Sequence, residues 1–431
     1  MSRGIIRLSV LSILLVLLVG CGGSSGSGGN GPTTVTFAIT GAPTAVATQI
    51  GSGTFTAATL SGNSLTMSVP EGTTNFAVAY VCPGYSDGYF VEFEEIVVEA
   101  STKDGTSFSE NCPTNFSPGA AGTLTGSVDA SAISGASLLN VIAIGSTYGV
   151  GESYGSLDTS FSFSAPEGSD RVEVAAYENV VNGYNESSNL LAAKNFSDVT
   201  VPGALNGGNT VVLGASDQVT DEPITYNNVP AGFESPATLV DYMVGNVGGF
   251  MIANAASNTY PALPASAAES GDYYYFGSFT TGPGSGATNG LSEVAVETTS
   301  TTGAPISFSF PSAWNYAGPT AATLPSFEFA YSGFSSTANV CDQADIIWAV
   351  PNSDAEDIIL VSASNNYLAG STTLAIPDLT SLTGFLSAPP SQTEILWEAY
   401  LDQLNYPCFQ PSSPAEATAK IVYNAGNYTT P

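Results

Sequence analysis

Short runs that alternate strictly between apolar and polar residues, each cut off by Gly, Pro, Asn or Ser, constrain this chain most. Ile306-Ser307-Phe308-Ser309-Phe310 is the clearest, and Val35-Thr36-Phe37-Ala38-Ile39 and Phe161-Ser162-Phe163-Ser164 follow the same rule. Successive side chains of a strand point to opposite faces, so such a run buries one face and wets the other. Sheets of that kind pack face to face. The expected fold class is all-β: tandem antiparallel β-sandwich domains. Pro236 to Ala256 competes, because Leu239, Val240 and Met243 keep helical spacing, although Gly245, Gly248 and Gly249 weaken a helix there. Ser391-Gln392-Thr393-Glu394 has the form of a helix capping box. The residues from Ile395 to Leu401 nevertheless alternate, and we read them as a strand.

One unit recurs. Leu65 to Val69 leads into Pro70-Glu71-Gly72-Thr73 and then Phe76 to Tyr80. Phe161 to Ala165 leads likewise into Pro166-Glu167-Gly168-Ser169 and then Val172 to Tyr177. Phe385 to Pro389 followed by Ile395 to Tyr400 reads as a fainter third copy. Ile306 to Pro311 with Phe327 to Tyr331 reads as a fourth, across a longer insertion. Each is expected to be a β-hairpin with a Pro-initiated turn. Gly/Pro-rich gaps then divide the chain into a sandwich over 34–118, a second over 122–216, and a larger β-rich region over 224–431 that could hold two packed sandwiches.

Gly122-Thr123-Leu124-Thr125-Gly126-Ser127-Val128, with the Phe161 to Gly168 run and Val172-Glu173-Val174, resembles the carboxypeptidase-regulatory-like, transthyretin-type sandwich. The resemblance covers under a hundred residues. It implies a fold, and it implies an accessory module without catalysis; likeness of fold does not carry function.

At the N-terminus Arg3 and Arg7 precede an apolar stretch from Leu8 to Gly20. That stretch is too short to cross a bilayer, which takes about 20 residues, and it reads as an export signal. Leu18-Val19-Gly20-Cys21 resembles the lipobox of bacterial lipoproteins. The resemblance implies removal of residues 1–20 and acylation of Cys21, so the chain is expected to sit on the membrane through that lipid. Gly22 rather than Asp after the Cys implies outer-membrane sorting in a host with two membranes. Residues 21–33 are rich in Gly and Ser, a flexible tether.

The formal net charge is −31, yet charged residues make up only 10% of the chain, against about 25% in ordinary globular proteins. Bases are missing rather than acids enriched: beyond the signal only Lys103, Arg171, Lys194 and Lys420 remain. Without clustered Lys and Arg, nucleic acid is excluded as a partner. The chain has no His, which removes Ser-His-Asp and Cys-His catalysis and His-held metals. No nucleotide-binding Gly loop appears between a strand and a helix. No cofactor and no metal are expected. Cys82, Cys112, Cys341 and Cys408 form an even set in an exported chain and read as two disulfides. Three pairings exist; proximity in sequence favours Cys82–Cys112 and Cys341–Cys408.

Two carboxylates suffice for glycoside hydrolysis. Glu92, Glu94, Glu95 and Glu99 are the densest acidic group, with Glu92 and Glu94 sharing one strand face; the plainer expectation is a solvated face with Phe93 turned inward. Asp354, Glu356 and Asp357 suggest oxygen ligands for calcium, but their spacing fits no EF-hand and a polar hairpin loop is expected. Tyr273-Tyr274-Tyr275-Phe276 would offer a sugar-stacking surface if half of it faced outward. The sequon Asn185-Glu186-Ser187 carries little meaning in a bacterial lipoprotein. The expected role is that of a lipid-anchored cell-envelope protein, non-catalytic, with a binding or structural task. A glycan or another envelope protein would be its partner. The alternative is a carbohydrate binder or a two-carboxylate hydrolase at the cell surface.

Overall fold

The computed structural model describes residues 31–83, 91–112, 120–145, 150–155, 157–178, 190–245, 248–255, 258–282, 291–313, 318–329, 341–351, 356–386, 388–406, 408–409 and 417–431. Cys21 and Asn185 therefore lie outside the described residues, as does Asp354. Side chains of Glu92 and Glu356 are likewise not described.

Strands dominate, as the alternation requires. The first group is β1 (Thr33–Thr40), β2 (Ala45–Ile50), β3 (Thr56–Ala57), β4 (Ser64–Val69), β5 (Asn75–Pro83), β6 (Val91–Ser101) and β7 (Ser107–Asn111). The second is β8 (Ala121–Asp129), β9 (Ala136–Ile144), β10 (Val150–Gly155), β11 (Asp158–Pro166), β12 (Gly168–Glu178), β13 (Leu190–Val201), β14 (Gly203–Ala204) and β15 (Val211–Val212). Then come β16 (Thr220–Asn227), β17 (Ala237–Val244), β18 (Gly248–Ala255), β19 (Thr259–Ala262), β20 (Tyr273–Gly282), β21 (Leu291–Ser300) and β22 (Ile306–Ser309). The last are β23 (Ser326–Glu328), β24 (Cys341–Pro351), β25 (Glu356–Ser364), β26 (Thr373–Ala375), β27 (Glu394–Leu404) and β28 (Thr418–Thr429).

One strand order repeats through all four groups. In the first three, the opening strand pairs antiparallel with the fourth strand and parallel with the seventh: β4-β1-β7, β11-β8-β14 and β19-β16-β22. The other four strands run third-second-fifth-sixth: β3-β2-β5-β6, β10-β9-β12-β13 and β18-β17-β20-β21. The last group repeats β25-β24-β27-β28 and the pair β23-β26, with no seventh strand among the described residues. Three of the four-stranded sheets then fuse edge to edge into a sheet of 12 strands. β21 joins β28 antiparallel, and β25 joins β6 parallel.

The repeated motif seen in the sequence is real in the first two groups, but it is not a hairpin. β4 and β5 belong to different sheets, and so do β11 and β12. Leu65, Met67 and Val69 of β4 meet Phe76, Val78 and Tyr80 of β5 across one core, which demands that the two strands lie on opposite sides of it. The Pro70–Thr73 turn, closed by Thr73 N–H to Pro70 O at 3.1 Å, arches from one sheet to the other. In the last group Phe385 to Pro389 lies in the long connection between β26 and β27 rather than in a strand. The supposed fourth copy joins β22 to β23, the seventh strand of one group and the first of the next. Pro236 to Ala256 forms β17 and β18, not a helix: Val240 and Tyr242 are buried two residues apart, and Gly245 turns the chain with φ +52. Ile395 to Leu401 lies in β27, as the alternation indicates.

The 12-stranded sheet is covered on both faces. On one, Trp348, Trp397, Phe327, Phe276 and Phe308 head a core that also takes Ala79 and Val97 from the first group. Ile142, Ile144, Ala175 and Tyr177, on the outer face of the second group's four-stranded sheet, dock onto that same core. The opposite face carries the first group's core at one end and a smaller cluster around Cys341 and Cys408 in the middle. Cys82 is bonded to Cys112 and Cys341 to Cys408, with Cα atoms 5.2 and 4.9 Å apart.

Candidate functional site

Most described residues of the tyrosine run and of the acidic strand are buried. Tyr273, Tyr274 and Phe276 are 2%, 3% and 0% exposed. The Tyr274 ring packs edge-on to Tyr242 and Tyr260, and its hydroxyl accepts the Leu263 N–H at 2.9 Å. Tyr274 and Phe276 leave no stacking surface, because the core covers the side they face; Tyr275, on the other side, is half-buried. The acidic strand is corrected too. Both faces of the sheet at β6 are packed, Val97 joining one core and Ile96 and Val98 the other, and Glu95 is 2% and Glu99 7% exposed. Glu94 shares one face with Ile96 and Val98, whereas Glu95 and Glu99 point to the other. Glu95 Oε2 accepts the Leu386 N–H at 2.9 Å, and Tyr367 donates to Glu99. Burial pushes all three carboxyls up to about 7. Glu356 and Asp357 open β25, opposite Pro351 and Val350 at the end of the antiparallel β24–β25 ladder. Among the described residues no three acids or cysteines converge as metal ligands.

Two polar constellations emerge instead. The first joins the second group to the third. Arg171 on β12 donates to Asp272, to Asn195 Oδ1 at 2.8 Å and to Ala267 O at 2.7 Å, with the Tyr242 ring 5.8 Å away. Asp272 also accepts from Tyr242 Oη (3.0 Å) and from the Glu269 and Gly245 amides (3.1 and 3.2 Å). Glu173, wholly buried, lies 3.8 Å from Arg171 and finds no hydrogen-bond partner among the described residues. Burial holds the Glu173 carboxyl well above its ordinary value, against the pull of Arg171 and helped by Asp272 and Glu269. Next to this knot, Glu269 Oε1 accepts from both Asn195 and Ser197. There a shallow groove of about 590 Å³ runs along β13, lined among others by Asn195, Phe196, Ser197, Asp198, Thr200 and Asn206. Its lining offers amides, hydroxyls, one carboxylate and one ring.

The second constellation is a cation-free row of acids and tyrosines on the Cys341 face of the large sheet. Asp345 on β24 and Asp402 on β27 are buried and hydrogen-bond to each other. Gln343 Nε2 donates to Asp345 Oδ1 at 2.7 Å. Tyr406 lies close enough to feel both carboxyls, Glu297 adds to the rise of Asp402, and Glu110 on β7 feels Asp345. Sequence reading missed both groups, since it treats an acid on a strand as solvated; Gln343-Ala344-Asp345 next to an apolar run was the available signal.

The molecule so defined is an all-β, disulfide-bonded chain of repeated sandwich units. Compared with known proteins, the chain matches no family model and no curated relative.

Proposed function

We propose that this chain is a lipid-anchored cell-envelope protein, held by acylated Cys21, whose body of transthyretin-type sandwich modules serves a binding or structural task. The pair of buried disulfides carries the reading, because such bonds persist in oxidising, exported compartments. The four-fold recurrence of one strand order supports a modular body. Several acyl chains on one Cys would anchor it stably where a single chain is marginal. Polar residues that could face a partner line the β13 groove, where the amides and hydroxyls, with Asp198 as a carboxylate acceptor among them, suit a polar ligand such as a glycan.

Cys21→Ser tests the anchor in cells labelled with a fatty-acid analogue. The variant should lose the label and either move to the soluble fraction or accumulate unprocessed. Mature-size, unlabelled variant remaining in the membrane pellet would sink the proposal.

A further inference from the structure

We propose that the interface between the second and third groups is a proton-dependent joint, closed while Glu173 is neutral and loosened when that carboxyl ionises. In the β9–β12–β13 ladders Ile142, Glu173 and Asn195 stand in one row, flanked by Ile144 opposite Arg171 and Asn140 opposite Ala175. Paired residues share a face. This face meets the third group, because Ile142, Ile144, Ala175 and Tyr177 pack into one core with Tyr242, Phe250 and Tyr260. Glu173, at 0% exposure, is buried in the interface itself. Polar bonds cross beside it. Arg171 donates to Asp272 and to Ala267 O, the Asn195 amide to Ser266 O at 3.0 Å, and the Val219 amide to Leu191 O at 3.0 Å.

The interface is built around a neutral Glu173. Each of the three Arg171 nitrogens bonds to another acceptor, and its Nη2 stands 3.8 Å from Glu173 Oε2. Asp272 already matches the guanidinium charge and is itself held by the Tyr242 hydroxyl and the Glu269 and Gly245 amides. Among the described residues neither Glu173 oxygen has a hydrogen-bond partner, and neither has Asn140 Oδ1, diagonal to Glu173 on the same face. A buried carboxylate left without donors is far costlier than a neutral carboxyl. The neutral form also carries the O–H that an orphaned acceptor such as Asn140 Oδ1 lacks.

The titratable groups around it are acids and a tyrosine, with Arg171 as the one cation among the described residues. Tyr242, Asp272 and Glu269 face it from the third group, Glu269 through its bonds to Asn195 and Ser197. One strand out, Glu152 of β10 holds the register position opposite Ile142. Lys194 and Asp170 belong to the other face, opposite Val174 and Val199, and Lys194 lies there 3.9 Å from Asp217. Burial raises the Glu173 carboxyl well above its ordinary range against the pull of Arg171, and Asp272 and Glu269 add to the rise. An acid raised in the closed state favours closure at low pH and withdraws that support as pH climbs through its folded value. Once ionised, Glu173 sets a second negative charge against one guanidinium.

The test uses the full chain with its disulfides intact and follows hydrogen exchange at Asn195 and Val219, whose amides cross the interface. Corrected for intrinsic rate, their exchange should speed up at least about tenfold between about pH 5 and pH 8, as linkage to a lost proton demands. Amides of β5, in the first group, report unfolding of the whole body over the same range. In Glu173→Gln, which keeps the shape without the titration, the rise at Asn195 and Val219 should shrink to under about threefold while β5 keeps its own response. Wild-type interface amides that ignore pH, or that follow β5 at every pH, overturn the proposal even if the variant does not fold. So does a folded Glu173→Gln chain that keeps the wild-type rise.

Discussion

Arg171 shows how a chain with few bases spends one of them. Its guanidinium is 8% exposed and ties β12 to the turn before β20 through Asp272. Removing one partner of a buried pair costs about 3–5 kcal/mol, because the other charge is left behind in a dry site. Arg171→Met should therefore lower stability by about that much in denaturant titration, leaving Asp272 and Glu173 together without a cation. Lys194 offers the contrast. Its ammonium is 35% exposed and 3.9 Å from Asp217, so Lys194→Met should cost no more than about 1 kcal/mol. Equal losses in the two variants would refute the account. Neither role was readable from composition: the sequence shows four bases beyond the signal but not which is buried. The burial of Glu95 and Glu99 was hidden for a related reason: alternation puts them on the face of Phe93 and Val97, but it does not say that a second layer packs on that face and leaves the carboxyls dry.

At the level of the element, the alternation located the strands but not their partners. Period two states that one face is buried; it is silent on which sheet a strand joins. For that reason Leu65 to Tyr80 looked like a hairpin and proved to be an arch between sheets. The turn residues are the better guide in retrospect. Gly72, with φ +80, occupies the third position of the Pro70–Thr73 turn, a left-handed place that costs an L side chain about 1–2 kcal/mol. No atom lies within 4 Å of a Cβ added there, so the cost is purely conformational. Gly72→Ala should lose about 1–2 kcal/mol in equilibrium unfolding, and Gly72→Asn less, since Asn tolerates that conformation. A loss-free Gly72→Ala would mean that the arch does not need its left-handed residue. The two disulfides were the most legible tertiary feature, because proximity in sequence singled out the pairing that the structure contains.

Across the whole molecule, buried acids outnumber any cation that could answer them. Burial lifts Glu94, Glu95, Glu99, Glu110 and Glu297 from 4.5 to about 7. The folded chain then binds more protons than the unfolded one between those values, so stability falls as pH rises through that window. It is fully present below about pH 4.5, and each carboxyl removes at most about 3 kcal/mol once ionised. Asp129 and Asp378, held low by hydrogen bonds from Ser131 and Thr380, act in the opposite sense but are exposed and weigh little. Calorimetry should find a higher Tm near pH 5 than near pH 8; a Tm that climbs over that range contradicts the burial of these groups. The all-β class was legible from the alternation; the fused sheet was not, because no local pattern announces an edge that pairs with a distant group. The seam between β6 and β25 has a consequence in time. Glu95 of β6 pairs with Ile359 of β25, so an edge made early waits for a strand made more than 250 residues later. Such distant pairing slows folding. A chain emerging from one end presents β6 as an unpaired edge throughout that interval, and the charges of Glu92, Glu94, Glu95 and Glu99 guard it against pairing with another chain.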